Sequence, residues 1–467
     1  MTSALPSATF RDPAGSLSFE DDLVVRRIGP AARGPVLEFL ESPFCRRLQL
    51  RGDLVAAHID DTPAGLRLLH PKIPIPTYPW EWTPTQWLAA AELTLNLCEE
   101  AIADGWVLKD ATPLNVLFTA TRPIFVDILS FERRDPNSSI WLAYGQYIRT
   151  VLLPLLMDRL LSWPLSLTLF KRDGYEPADC YAALGWGRRL TRAAFWPITL
   201  PALLDRRKTA AAQKPAAQNP ASRLQSPEIV TAVLERTLHA LRRRTRRAAA
   251  ASAPSNWSEY QGTLTHYTPE QSRQKLAWVR QALETSLPQR VPGRVLDIGA
   301  NTGEFSALAA EMGAEVVALE RDQASADRLF AMARQRSLAI QTIHADIARP
   351  TPAVGWRNAE SSALLPRLEA QFDLVLMLAV IHHLILMEQI PLPEILALAH
   401  RLTRRHLLVE WVPVEDPMYQ SLMRGRDTLY GALSEADLLA ACAGRFHTLA
   451  RQPLDNGRVL LLFDKIA

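Results

Sequence analysis

Cysteine is scarce and scattered. Cys45, Cys98, Cys180 and Cys442 are the only four in 467 residues, and no two form a C-x-x-C pair. That spacing argues against a zinc site and against the disulfide framework of a small secreted domain; it predicts free thiols in a reducing cytoplasm. An excess of one charge is lacking too. Lys and Arg total 52 against 49 Asp and Glu, a formal net charge of +3, so the chain as a whole gives no reason to expect nucleic acid or a membrane surface, and basic charge is local. Long apolar runs are missing. Val151 to Met157 and Leu160 to Phe170 are apolar, but Asp158 and Arg159 divide them, and Pro154 and Pro164 interrupt each; no spanning helix is expected. The first twenty residues are polar, with Pro6 and Pro13, and read as no signal peptide. No internal repeat is visible.

What is present is an ordinary globular composition, 48% hydrophobic, on a chain long enough for two or three domains with cores of their own. The most informative stretch runs from Arg294 to Phe305, R-V-L-D-I-G-A-N-T-G-E-F. Val295 to Ile298 is apolar on both faces apart from Asp297, as a central parallel strand would be, and Gly299 and Gly303 permit a positive φ or close backbone approach where the chain reverses into a helix. Ligands of doubly wound sheets sit at such a turn. A dinucleotide fingerprint is G-x-G-x-x-G. Here the order is D-x-G-x-N-x-G. A fixed carboxylate on the strand would repel pyrophosphate and suit an ammonium or a sulfonium.

At these residues the sequence resembles motif I of the class I S-adenosylmethionine-dependent methyltransferases, with Asn301 in place of the middle glycine of the commonest pattern. The resemblance covers roughly residues 257 to 467 and implies a Rossmann-like α/β sheet. Val316 to Glu320 is its next strand, with Glu320 placed to accept from both ribose hydroxyls. His344-Ala345-Asp346-Ile347 matches the adenine-binding turn, Asp346 accepting from the exocyclic amine and Ile347 packing on the ring. Phe372 to Leu378 is a fourth strand leading to Ile381-His382-His383-Leu384 at the rim, and Leu407 to Trp411 a fifth. Arg445 to Arg451 and Arg458 to Asp464, joined through Asp455-Asn456-Gly457, read as a closing antiparallel hairpin. The cofactor set is therefore Asp297, Gly299, Asn301, Gly303, Glu320, Asp346 and Ile347. Trp257 to Tyr260 and His266-Tyr267 precede the core and either line an acceptor site or pack between domains.

The amino-terminal half reads differently. Residues 1 to 15 are a tail, and 16 to 205 an α+β domain. Within it, Leu23 to Ile28 is a strand, Val36 to Leu40 lies in a helix, and the prolines of 72 to 82 keep that segment extended. Thr83 caps a helix with Pro84 at its first position, running to about Ala103 and stopped by Asp104-Gly105. Asp110 is followed by Pro113 at three residues and Asn115 at five, and Asp127 comes twelve later. Those offsets resemble a kinase catalytic loop and metal-binding aspartate, which implies that Asp110 orients a hydroxyl while Asn115 and Asp127 hold the magnesium of Mg-ATP. Much of that pattern is missing. No G-x-G-x-x-G precedes Lys72, Gly29 and Gly34 stand alone, and Asp127 leads into Ile128-Leu129. A degenerate kinase-like domain is expected.

Residues 206 to 256 read as a linker carrying a basic helix from Glu228 to Arg247, with Ile229, Val233, Leu234, Leu238 and Leu241 as its apolar stripe and a solvated run of five arginines at its end. The two halves together are similar to bacterial proteins related to the nodulation protein NoeA. The function this implies is methyl transfer from S-adenosylmethionine to a small-molecule or glycan acceptor, at oxygen. His382 and His383, near the usual histidine pKa, are candidate bases for a hydroxyl proton, or one of them only shapes the rim. Glu410 and Asp416 are further acceptor-site candidates. No metal is expected, because the carboxylates lack metal-ligand spacing. The rival readings are a Mg-ATP phosphotransferase acting through the amino-terminal half, and a binding protein with no catalysis.

Overall fold

The computed structural model describes residues 12–63, 65–210, 226–249, 268–288, 292–423, 430 and 432–466. The chain forms two compact units, Met1–Ser252 with Val354–Ser361, and Ala253–Ala353 with Ser362–Ala467. Trp257, Tyr260, His266 and Tyr267 lie outside the described residues.

In the first unit, β1 (Gly15–Glu20), β2 (Leu23–Ile28), β3 (His58–Thr62) and β4 (Gly65–Pro71) form an antiparallel sheet in the order β1-β2-β4-β3. The segment after β4 turns once, as a 3-10 helix at Pro79–Glu81, where the prolines had predicted extension throughout. Thr83 Oγ1 then accepts from the Gln86 backbone amide and Gln86 Oε1 accepts from the Thr83 backbone amide, a capping box that starts the helix Pro84–Ala103. Trp82, Trp87 and Phe118 meet edge to face and are buried. Their indoles are satisfied: Trp87 Nε1 donates to the Pro79 carbonyl at 2.9 Å and Trp82 Nε1 to Thr77 Oγ1 at 3.0 Å. Beyond this helix, β5 (Trp106–Leu108) pairs with β8 (Phe131–Arg133), and β6 (Val116–Thr119) with β7 (Arg122–Phe125). These short pairs carry Asp110, Asn115 and Asp127 on their connections.

The helix Pro227–Ala248 packs on Pro84–Ala103. Its buried face is Val230, Leu234, Leu238 and Leu241, while Ile229 and Val233 are exposed; the stripe is rotated by one residue at its start relative to the expected one. Its arginines are not all solvated, since Arg242 reaches Asn96 and Glu99, and Arg246 reaches Glu92. The expected linker is helical at its start too, because the helix Leu200–Ala210 runs into it.

In the second unit, β9 (Arg294–Ile298), β10 (Glu315–Glu320), β11 (Ile340–His344), β12 (Phe372–Met377), β13 (Thr403–Trp411), β14 (Phe446–Pro453) and β15 (Val459–Lys465) form one sheet ordered β11-β10-β9-β12-β13-β15-β14. The first five strands in sequence run parallel, and β15 inserts antiparallel between β13 and β14. β9, β10 and β12 bury almost every residue, as the unbroken apolar runs required. Strand order reverses between β10-β9 and β12, so the crevice opens beside the carboxyl end of β9. The helices Glu304–Glu311 and Gln323–Gln335 follow β9 and β10, and Pro269–Ser286 precedes the sheet.

Two glycines make the turn after β9. Gly299 has φ +74° and Gly303 φ +89°, and a Cβ built on Gly303 would lie 2.7 Å from Leu329 Cγ. The space beside Gly303 is taken by the helix Gln323–Gln335, so this glycine serves packing between helices. Gly303→Ala is expected to destabilise the second unit by about 1–3 kcal/mol, from positive φ and overpacking together, measured by chemical denaturation.

Candidate functional site

A cavity of about 480 Å³ opens at the carboxyl ends of β9, β10 and β12. Asp297, Gly299, Asn301, Glu320, Asp346, Ile347, His382 and His383 all line it, so one crevice collects residues spread over 87 positions of sequence. Gly303 and Glu410 do not line it. Asp297, near the end of β9, is buried, and its Oδ2 accepts from the Ser306 hydroxyl at 2.6 Å. Burial pushes its carboxyl up to about 6, against the pull of that hydroxyl and of Lys275. Glu320, at the end of β10, accepts the Asn301 amide at 2.8 Å and the Asp322 amide at 2.7 Å. Burial raises its pKa while those amides oppose the rise. The Arg321 amide contributes as well, and since a carboxylate offers about four lone-pair positions, one acceptor position remains open. Asn301 adopts φ +50°, a left-handed conformation that asparagine tolerates better than most residues, which accounts for its standing where a glycine is commoner.

Asp346 is partly committed. Its Oδ1 caps its own turn through the Ala348 amide at 2.9 Å, and its Oδ2 pairs with Arg349 at 3.1 Å. Ile347 lies at the crevice wall beside it.

The histidines depart from expectation. His382 is 4% exposed, and neither of its ring nitrogens has a hydrogen-bond partner among the described residues. Its pKa lies well below the ordinary value because burial disfavours the cation and His383 and Arg458 add to the effect. Burial lowers His383 to about 4. Both are neutral near pH 7, not poised at the usual histidine range. The rings lie 4.2 Å apart, tilted by 38°.

The sequence reading missed two cations. Lys275, from the helix Pro269–Ser286, lines the crevice, stands 4.9 Å over the Phe305 ring, and donates to Glu410 Oε2 at 2.7 Å. Arg458, immediately before β15, also lines the crevice and binds Asp416 Oδ2 at 2.8 Å and Glu410 Oε1 at 3.4 Å. Glu410 is therefore not an open acceptor-site acid. It is enclosed by two cations, and Asp416 is taken by the second. Burial raises the Glu410 pKa and lowers that of Lys275, each driven toward its neutral form. A signal for Lys275 existed: it continues the stripe Val279, Ala282, Leu283 and Ser286, which is a buried face.

The kinase-like residues are close together and self-satisfied. Asp127 Oδ1 accepts from Arg26 at 2.8 Å, in a pair whose side chains are 7% and 18% exposed. The other Asp127 oxygen accepts from Ser130, whose hydroxyl also accepts from Asn115 Nδ2 at 3.1 Å. Asp110 accepts from Gln146 at 3.4 Å, and burial, then Asp127, raises its pKa. A guanidinium thus neutralises the aspartate that the resemblance assigned to magnesium. Among the described residues no three His, Cys, Asp or Glu side chains converge on a metal position. The four cysteines are free and buried.

With this geometry in view, the class is clear. The second unit carries a methyltransferase domain, matching the family so described over residues 267–426, and the protein is an S-adenosylmethionine-dependent methyltransferase. Along nearly its full length the chain is similar to nodulation protein NoeA of Rhizobium meliloti (strain 1021), 28% identical over 480 residues, covering 98% of this chain and 96% of the relative. Among solved structures, WbdD is 20% identical with a TM-score of 0.32, the match covering 44% of this chain and 42% of that one. The N-methyltransferase NodS from Bradyrhizobium japonicum WM9 is 14% identical with a TM-score of 0.31, covering 43% of this chain and 98% of that one.

Removing Glu410 should expose its structural role. Glu410→Ala leaves Lys275 without its buried carboxylate and weakens the hold on Arg458, so a loss of about 3–5 kcal/mol is expected in denaturant unfolding; an acid that merely lined the crevice would change stability by less than about 1 kcal/mol.

Proposed function

We propose that the second unit transfers a methyl group from S-adenosylmethionine to a hydroxyl oxygen of a small-molecule or glycan acceptor. The observation that carries this reading is one crevice holding two buried carboxylates from adjacent strands, Asp297 and Glu320, together with a buried imidazole, His382, whose nitrogens have no hydrogen-bond partner among the described residues. Bound S-adenosylmethionine supplies a methyl group already activated on a sulfonium. What this chain must add is position and exclusion of water.

The lining fits such a ligand. Asp297 suits the ammonium of an amino-acid end and Lys275 its carboxylate, since both face the same part of the crevice and feel each other's charge. Glu320 has an acceptor position left for a ribose hydroxyl. Ile347 offers an apolar surface to a base, and Asp346 one acceptor beside it. Val380, whose side chain fills the space next to Gly299, keeps the backbone turn narrow. Neutral His382 can accept a hydrogen bond from a hydroxyl and take its proton as the oxygen becomes a nucleophile. Its lowered basicity makes alignment of the hydroxyl the larger part of that role.

The first unit is proposed to be a kinase-like domain without phosphotransfer, because Arg26 already occupies the charge-balancing position at Asp127 and no phosphate-cradling loop precedes it. Free, buried thiols suit a reducing compartment, and we assign the protein to the cytoplasm on that basis.

Calorimetric titration of S-adenosylmethionine tests the central reading. Wild type should bind, and Gly299→Arg should not, because a Cβ alone would meet Val380 Cγ2 at 2.6 Å. Asp297→Asn should bind about 10–100-fold more weakly, the worth of a charged hydrogen bond. Asp297 is raised to about 6, so in the ligand-free fold its proton is stabilising at low pH and that contribution is lost as pH rises through 6. A cationic ligand needs the ionised form, so affinity should fall below that pH, by up to about tenfold per unit. His382→Ala should lower kcat by about 10²–10⁴-fold with S-adenosylmethionine affinity unchanged. Absence of binding to the wild type would overturn the assignment.

A further inference from the structure

Among the described residues of the first unit, large apolar side chains open to solvent gather on the short helices that follow residue 185. Trp186 is 79% exposed, Leu190 64% and Trp196 56%, and Leu203 and Leu204 are exposed as well. The pieces are joined. Trp186–Arg189, Arg192–Ala194 and the helix Leu200–Ala210 all pack against the π-helical turn Phe195–Thr199. Thr199 Oγ1 donates to the Arg189 carbonyl at 2.7 Å, tying the turn that carries Leu190 to the helical stretch that carries Trp196. Trp196, Leu203 and Leu204 stand at i, i+7 and i+8 and so share a helix face, while Ile198, Thr199 and Ala202 bury the opposite one. The stretch therefore has a face committed to the core and a second apolar face turned outward.

Charge decides what that outer face suits. Between residues 186 and 204 the sequence holds Arg188, Arg189 and Arg192 and no acid. Arg188 and Arg192 are exposed and have no ion pair among the described residues. The whole chain is close to neutral, at +3, so this excess is local to the apolar patch. A matching surface must be apolar and anionic at once, over an area with few directional demands. Anionic bilayers meet those terms: tryptophan favours the headgroup level, apolar side chains enter the acyl boundary, and arginines pair with lipid phosphates. No helix among the described residues is long and apolar enough to cross a membrane, so the contact would be at the surface.

We propose that the face formed by residues 186–204 of the first unit docks on an anionic phospholipid bilayer, with Trp186, Leu190 and Trp196 entering the interface and Arg188 and Arg192 binding headgroup phosphates. This stands apart from the methyl-transfer reading and does not need it. The full chain is tested by co-sedimentation with phosphatidylcholine vesicles and with mixed phosphatidylcholine–phosphatidylglycerol vesicles. Wild type should bind the mixed vesicles, bind pure phosphatidylcholine far less, and be released by high salt. Arg188→Gln with Arg192→Gln should cut binding to mixed vesicles by about five-fold per charge removed, and the exposed-residue variant Trp186→Ser/Leu190→Ser/Trp196→Ser should lose it with an unchanged melting temperature. Failure of the wild type to bind, equal binding to both vesicle types, or retention by the serine variant would overturn the proposal. So would light scattering that shows a dimer dissolved by the serine substitutions without vesicle binding, which would assign the face to a second copy.

Discussion

The carboxylate of Glu320 holds the crevice in shape. One oxygen accepts the Asn301 amide and the other the Asp322 amide, at 2.8 and 2.7 Å, so the turn leaving β9 and the turn leaving β10 are fastened to a single side chain at the carboxyl end of β10. Backbone amides at a buried turn need acceptors, and supplying both from one acid fixes the spacing of two strand ends. It also leaves a partly buried negative charge facing the cavity, beside a second one at Asp297. Packing and electrostatics therefore come from the same residues.

A denser arrangement adjoins those acids. Lys275, Glu410, Arg458 and Asp416 form a buried chain of alternating charge built from the helix before the sheet, β13, β15 and the loop after β13. Buried ion pairs add little net stability against apolar replacements, yet losing one member is costly. Such a chain fixes relative positions: it locks the antiparallel β15 to β13 and sets two cations at the cavity wall with their own charge balanced. The crevice can then present lysine and arginine to a ligand without carrying a large net positive charge.

In the first unit the same logic gives a different result. Arg26 on β2 reaches Asp127 beyond β7, and Ser130 links Asp127 to Asn115. Asp127 and Asn115, the two groups the resemblance assigned to magnesium, are drawn into an internal network. The motif Asp110, Pro113, Asn115 and Asp127 was legible because its offsets survive in one short stretch. The arginine that neutralises it was not, being 101 residues away in sequence and unremarkable where it stands.

Local pattern carried much of the molecule. The cap at Thr83, the strand ends at Ile298 and Glu320, the glycine turn and the closing hairpin were readable because each depends on residues within a turn or two of one another. The rotated stripe of Pro227–Ala248, the fate of Glu410 and the depressed histidines were not, since they depend on what faces a side chain from elsewhere. Sequence alone determined where the sheet runs, where it turns, and that an acid stands at the end of a central strand; hydrophobic periodicity and turn chemistry are short-range constraints. Tertiary structure alone decided which acids stay open to a ligand and which are consumed by buried cations, because desolvation and ion pairing are set by neighbours that the chain brings together only once folded.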